Sequence, residues 1–162
     1  MKKITIKVNL NNNSYPIIIG KNLLNNTGAE IKKIIPKAKK FLLITDKNIP
    51  KSYIRSILSS IKSKNKYVFT LSAGEKSKNM NFTNAIIKKL FKYNFNRDDC
   101  VIALGGGVIG DLSGFASSIF KRGINLVQVP TTLLAQVDSS IGGKTGINSS
   151  EGKNMIGTFY QP

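Results

Sequence analysis

The run Val101-Ile102-Ala103-Leu104-Gly105-Gly106-Gly107-Val108-Ile109-Gly110-Asp111 joins an apolar tetrad to a glycine cluster. Four unbroken apolar residues suit a strand covered on both faces. Beyond the glycines, Leu112, Phe115, Ala116 and Ile119 fall at i, i+3, i+4 and i+7, the spacing of one buried helix face. Gly105, Gly107 and Gly110 therefore place G-x-G-x-x-G between a strand and a helix, the context in which the pattern carries meaning. Glycine permits φ > 0 and removes Cβ, so a diphosphate can approach the backbone. The helix start then offers unpaired N–H groups and a partial positive charge. A tight strand–helix turn with no ligand is the alternative.

Outward from this turn, strands and helices alternate. Phe41–Thr45 is a second continuous apolar run, Tyr67–Leu71 a third strand and Leu126–Val129 a fourth, ended by Pro130. Between them, Ile54, Ile57, Leu58 and Ile61 share one helical face, as do Phe82, Ile86 and Leu90. A helix carrying Leu23, Leu24, Ile31 and Ile34 must stop before Pro36. Ile4, Ile6 and Val8 alternate with polar residues, as in a half-buried strand, and Tyr15–Ile19 completes an opening hairpin across a polar linker. Repeated βα units predict an α/β fold: a Rossmann-like, mainly parallel sheet with flanking helices, forming one domain over residues 1–162. Residues 139–162, rich in Gly, Ser and Asn, are expected to be irregular, with Phe159-Tyr160-Gln161-Pro162 facing no partner.

Two aspartates stay ambiguous at this level. An ordinary dinucleotide fold ends the strand after the glycine turn with a carboxylate for the ribose. Here that strand ends Val129-Pro130-Thr131-Thr132, so Asp46, after Phe41–Thr45, is the nearest candidate; a turn or N-cap role serves it equally. Asp111 would repel a diphosphate. It can interact with the helix dipole or hydrogen-bond the nicotinamide end of a cofactor.

Composition excludes several chemistries. With no His, the 162 residues hold no Ser-His-Asp or Cys-His machinery and no imidazole metal site. A single cysteine, Cys100, forms no internal disulfide; ahead of an apolar strand it reads as inert packing, and a reducing, cytoplasmic setting is expected. The basic start Met1-Lys2-Lys3 lacks the apolar core of a signal peptide. No run of roughly 18 apolar residues predicts a membrane span. The net charge of +17 suggests a nucleic-acid partner, but its distribution argues otherwise. Residues 1–100 carry 21 basic and 5 acidic side chains, against 4 and 3 in residues 101–162. Lys outnumbers Arg 22 to 3, although Arg is the better reader of phosphates and bases. Solvent-facing drift toward AT-rich codons explains the excess more simply.

The chain resembles the 3-dehydroquinate synthase family. The resemblance rests on Gly105–Gly114, Arg122-Gly123, Val129–Ser140, Gly142-Gly143-Lys144-Thr145-Gly146 and Gly152-Lys153-Asn154-Met155-Ile156-Gly157, with Gly74-Glu75-Lys76-Ser77-Lys78 upstream. It is dense over residues 101–162, whereas the first 70 residues match mainly in element order. Leu71-Ser72-Ala73 departs from the proline and aspartate that members often place before Gly74.

The resemblance implies an NAD-binding α/β domain followed by a helical, metal-binding domain. It also implies conversion of 3-deoxy-D-arabino-heptulosonate 7-phosphate to 3-dehydroquinate and phosphate in the shikimate pathway. Gly74, Glu75, Lys78, Gly106, Gly107, Val108, Ile109, Gly110, Asp111, Thr131 and Thr132 match cofactor positions. Asp138, Lys144 and Asn154 match substrate-contacting positions, with Lys144 also near the cofactor, and Lys153 lies at the cofactor–substrate junction. Arg122 matches an arginine that reaches the substrate phosphate from the neighbouring subunit of a homodimer. The types suit the task, since a sugar-acid phosphate needs cations and residues 101–162 hold only Lys121, Arg122, Lys144 and Lys153. Each is also compatible with a solvated surface charge, and Lys121 is read as surface. Asp138 also fits a loop cap, and Glu75 with Lys78 a local i, i+3 ion pair.

The family's zinc or cobalt ligands, a glutamate and two histidines, lie downstream of Tyr160-Gln161-Pro162. The expectation is therefore a chain with most of a cofactor site, no metal ligands and little or no turnover by itself. A sister sugar-phosphate cyclase is the nearest alternative. A metal-dependent alcohol dehydrogenase shares the glycine turn but not the Lys144 and Lys153 segments. A non-catalytic basic binding module is the reading from a different class.

Overall fold

The computed structural model describes residues 2–11 and 13–162. Met1, in the basic start, and Asn12, in the polar linker, lie outside the described residues. Four strands form a wholly parallel sheet: β3 (Phe41–Asp46), β4 (Lys66–Leu71), β5 (Cys100–Gly105) and β6 (Asn125–Pro130), in the order β4-β3-β5-β6. Both faces of β3 and β5 are apolar, as their unbroken runs require. Leu42, Ile44, Val101 and Ala103 pack on one face with α3 (Met80–Lys92) and α4 (Gly107–Ile119). Leu43, Ile102 and Leu104 pack on the other with α1 (Thr27–Ile34) and α2 (Lys51–Ser60). The Rossmann-like α/β layering is as expected.

From β3 the chain passes to β4 on one side, and from β5 to β6 on the other. The switch in direction leaves a crevice at the carboxyl ends of β3 and β5, where open α/β sheets bind ligands. Asp46 ends β3 and the glycine turn follows β5, so the two flank that crevice.

The N-terminal hairpin pairs β1 (Ile4–Val8) with β2 (Tyr15–Ile19) in antiparallel register. Among the described residues it joins no other strand, so Ile4 and Ile6 remain about half exposed rather than half-buried on a sheet. Tyr15 is buried, and its hydroxyl oxygen accepts from the Gly142 N–H at 3.2 Å.

Residues 139–162 correct the expectation of irregular backbone. β7 (Lys144–Ser149) and β8 (Gly152–Phe159) form an antiparallel hairpin lying on α4. Its glycines serve close approach. Gly146 pairs with Gly157, and a Cβ on Gly157 would lie 2.3 Å from the Thr145 carbonyl oxygen. On α4, a Cβ on Gly114 would lie 2.4 Å from Thr145 Cγ2. Tyr160 also has partners: its hydroxyl donates to the Ile124 carbonyl and its N–H to the Gly143 carbonyl, each at 2.7 Å.

Candidate functional site

The glycine turn bends β5 into α4 at the crevice. Among the described residues no protein acceptor takes the Gly107 and Val108 N–H groups, while Ile109 and Gly110 donate back to the Gly106 carbonyl. Gly106 caps α4 in extended conformation and no side chain substitutes for a cap. None of Gly105, Gly106, Gly107 or Gly110 has positive φ, so the operative property is the missing Cβ. A Cβ on Gly105 would meet Ile109 at 2.7 Å, and one on Gly110 would meet the Gln128 amide oxygen at 2.6 Å. Bare amides at the start of a 13-residue helix fit an anionic diphosphate.

Thr131 and Thr132 border the turn. The Thr131 N–H donates to the Gly105 carbonyl at 2.9 Å, closing the turn against β6. Thr132 Oγ1 accepts from the Ala135 N–H at 3.2 Å, which leaves its own proton to donate.

A second cluster forms around Lys78. Its side chain is only 5% exposed, and Nζ donates to Asp111 Oδ2 and Asn154 Oδ1. Glu75 instead accepts from Asn148 Nδ2 at 2.8 Å. The local Glu75–Lys78 ion pair is thus replaced by long-range partners. Asp111 lies beyond the first turn of α4, so its partner is Lys78 rather than the helix start. Burial raises the Asp111 carboxyl above the ordinary carboxylate range. The Lys78 hydrogen bond and charge oppose that shift, and Glu75 and Asp138 reinforce it. A half-buried, polarised carboxyl here can accept a hydrogen bond from a cofactor amide. Asp46 Oδ1 accepts from the Asn48 N–H at 2.8 Å, the turn interaction that its sequence context also allows.

Of the remaining predicted residues, Asp138 lies near enough for its charge to act on Asp111, whereas Lys144, Lys153 and Arg122 stay apart. Lys144 and Lys153 lie at opposite ends of the hairpin, about 17 Å apart by strand rise, rather than side by side. Among the described residues neither makes a side-chain hydrogen bond or ion pair, and Asp138 and Arg122 are likewise exposed. Arg122 precedes β6, at the sheet edge opposite the glycine turn, so it does not reach the turn in its own chain. Lys121 and Arg122 hold φ of 49° and 62°, followed by Gly123 at 124°. Lys121 is more than surface: Nζ donates to the Phe95 carbonyl at 2.8 Å and Asn96 Oδ1 at 3.2 Å. Cys100 is fully buried, and burial pushes its thiol far above the ordinary range, as inert packing requires.

Asn148 went unnoticed in the sequence. Its N–H donates to the Lys78 carbonyl at 2.8 Å, its amide nitrogen to Glu75, and its amide oxygen accepts from the Asn154 N–H at 2.9 Å. An asparagine in a Gly/Ser/Asn-rich stretch carries no local signal of such a role. Among the described residues, no group of three His, Cys, Asp or Glu side chains could hold a metal ion, so this donor set does not fit the family's metal.

Fold and site together define a Rossmann-like α/β domain with an uncapped helix start at the switch crevice. The family described as 3-dehydroquinate synthase N-terminal matches residues 68–162, and the chain belongs to it. It is 49% identical over 162 residues to the 3-dehydroquinate synthase of Pelagibacter ubique, covering 100% of this chain and 44% of that protein. It is 48% identical over 160 residues to the enzyme of Rhizobium leguminosarum, covering 98% and 42%. The chain thus spans less than half the length of these curated relatives. Among solved structures, a 2-deoxy-scyllo-inosose synthase superposes with TM-score 0.88 at 25% identity, covering 98% of this chain and 45% of that one. A 2-epi-5-epi-valiolone synthase from Streptomyces hygroscopicus, with NAD+ and Zn2+ bound, gives 0.77 at 27%, covering 95% and 42%. No helix among the described residues is long and apolar enough to cross a membrane.

Proposed function

We propose that this chain is the NAD-holding part of a 3-dehydroquinate synthase, a phosphate-eliminating lyase acting on 3-deoxy-D-arabino-heptulosonate 7-phosphate in the cytoplasm. The supporting observation is the α4 start, where the Gly107 and Val108 N–H groups have no protein acceptor among the described residues, on the same helix as Asp111, whose partner Lys78 also holds Asn154. NAD, when bound, supplies reversible hydride transfer at a substrate carbinol. The chain's own residues bind and orient. Gly106, Gly107 and Val108 hold the diphosphate, with Thr131 and Thr132 beside them. Gly74, Glu75 and Lys78 form one wall, and Asp46 is placed for the ribose. Ile109 and Gly110 keep the helix start closely packed. Asp111 faces the nicotinamide amide, held by Lys78.

Lys153 and Asn154, at the bulged end of the hairpin, are assigned to the sugar-acid phosphate; Asp138 and Lys144, the latter about 17 Å along the hairpin, are assigned to it by resemblance to the family alone, and Arg122 serves the site of a second copy in a homodimer. Its place before β6, at the end of the sheet opposite its own glycine turn, favours that assignment. The zinc or cobalt ion expected of the family finds no donor set among the described residues. A sister sugar-phosphate cyclase is the second reading, favoured by the TM-score of 0.88 to a 2-deoxy-scyllo-inosose synthase.

Thermal unfolding with and without NAD+ tests the reading. Stabilisation that grows with NAD+ and resists moderate salt supports it. Steeply salt-dependent DNA binding with no NAD+ effect supports the basic-module reading instead. Phosphate release from the heptulosonate phosphate by the 162-residue chain with added zinc is expected to be absent or nearly so. Robust turnover would contradict that expectation.

A further inference from the structure

Asn148 makes three hydrogen bonds, each to a residue of the proposed site. The backbone N–H holds the Lys78 carbonyl, Nδ2 holds Glu75 Oε1, and Oδ1 holds the Asn154 N–H. Glu75 and Lys78 lie 73 and 70 positions upstream, on the turn between β4 and α3. Asn154 lies on β8 with φ of 58°, a conformation that asparagine tolerates but that costs energy without local support. Between the pairs Ile147–Ile156 and Ser149–Gly152, Asn148 faces three residues, so the hairpin bulges there. The bulge turns Asn154 Oδ1 back onto Lys78, which in turn holds Asp111.

We propose that Asn148 is a positioning residue. It ties the Glu75–Lys78 turn to the β7–β8 bulge and, through Asn154, thereby sets Glu75 and the Lys78–Asp111 pair for the nucleotide. This inference rests on the NAD reading above. The amide is required because the two sides of the junction ask for opposite polarity: Glu75 needs a donor and the Asn154 N–H needs an acceptor. A carboxylate satisfies only the second, and it sets two negative charges against each other. Lys76 and Lys78 on the same turn and Asp111 on α4 are the other charges around this junction.

The test is NAD+ affinity by calorimetry on the 162-residue chain, comparing wild type, Asn148→Ala, Asn148→Asp and Asn148→Asp with Glu75→Gln. Asn148→Ala is expected to weaken NAD+ binding roughly tenfold, the upper range for a hydrogen bond. Asn148→Asp, with like charges added, is expected to weaken it by about ten- to a hundredfold. The double variant restores a donor facing an acceptor, and is expected to bind NAD+ at least about threefold more tightly than Asn148→Asp, short of wild type because Glu75 also lines the cofactor site. A general structural defect would not be repaired by that second change. Should Asn148→Ala fail to fold, the aspartate pair still decides the matter. Wild type binding no NAD+ would overturn the reading on which the inference rests. Wild type binding NAD+ while both single variants match it, or a double variant no better than Asn148→Asp, would overturn the role of Asn148 alone.

Discussion

Replacing Lys78 with methionine removes the ammonium that joins α4, β8 and the Glu75–Lys78 turn while keeping the buried stem. Breaking a buried pair by deleting one partner costs about 3–5 kcal/mol. Asp111 retains 19% side-chain exposure against 5% for Lys78, so water recovers part of that loss and about 2 kcal/mol is expected. For a chain of this size, that lowers Tm by about 6 °C. The loss also carries a pH signature. Burial holds the Asp111 carboxyl high, and Lys78 pulls it back. A carboxyl raised on folding binds its proton more readily in the folded state, so its contribution to stability falls as pH rises from the unfolded pKa through the folded one. Methionine removes the pull and extends that window upward. The deficit of Lys78→Met relative to wild type is therefore smallest near about pH 4 and largest near about pH 7. Urea unfolding of both proteins at the two pH values measures it. A deficit equal at both, or larger in acid, would refute the assignment of Lys78 to Asp111.

Three further outcomes follow from the packing and backbone. Gly114→Ala drives a methyl to 2.4 Å from Thr145 Cγ2 and is expected to cost about 1–3 kcal/mol in urea unfolding, by prising β7 from α4. Arg122→Gly relieves a left-handed arginine and should leave Tm unchanged or raise it by about 2 °C in a calorimetric scan. Glu30, pulled below the ordinary range chiefly by its hydrogen bond from Lys3, contributes stability above its unfolded pKa that fades as pH falls. Glu30→Gln is expected to cost below about 1 kcal/mol at neutral pH and less in high salt, as a salt titration of Tm would record.

Where burial and periodicity coincide, the fold was legible. β3 and β5 are unbroken apolar runs because both faces are covered, and the helices carry one apolar face each because only one is covered. The β7–β8 hairpin escaped because β8 is exposed along nearly its whole length and its glycines serve close packing, which periodicity does not register. In the site, the glycine turn was legible because its amides and helix are contiguous in sequence. The Lys78 cluster was only half legible. Glu75 and Lys78 suggested a local pair at i, i+3, while their partners Asn148, Asp111 and Asn154 lie at least 33 positions away. Asn148 acts entirely through such contacts, so nothing near it in the chain could announce its role.

Amide chemical shifts of the isotope-labelled chain, followed during NAD+ titration, test the central claim most directly. The largest changes are expected at Gly106, Gly107 and Val108, saturating together with changes at Asp111 and Lys78. Saturable shifts confined to other surfaces, or no shift at the α4 start while NAD+ is bound, would contradict the account.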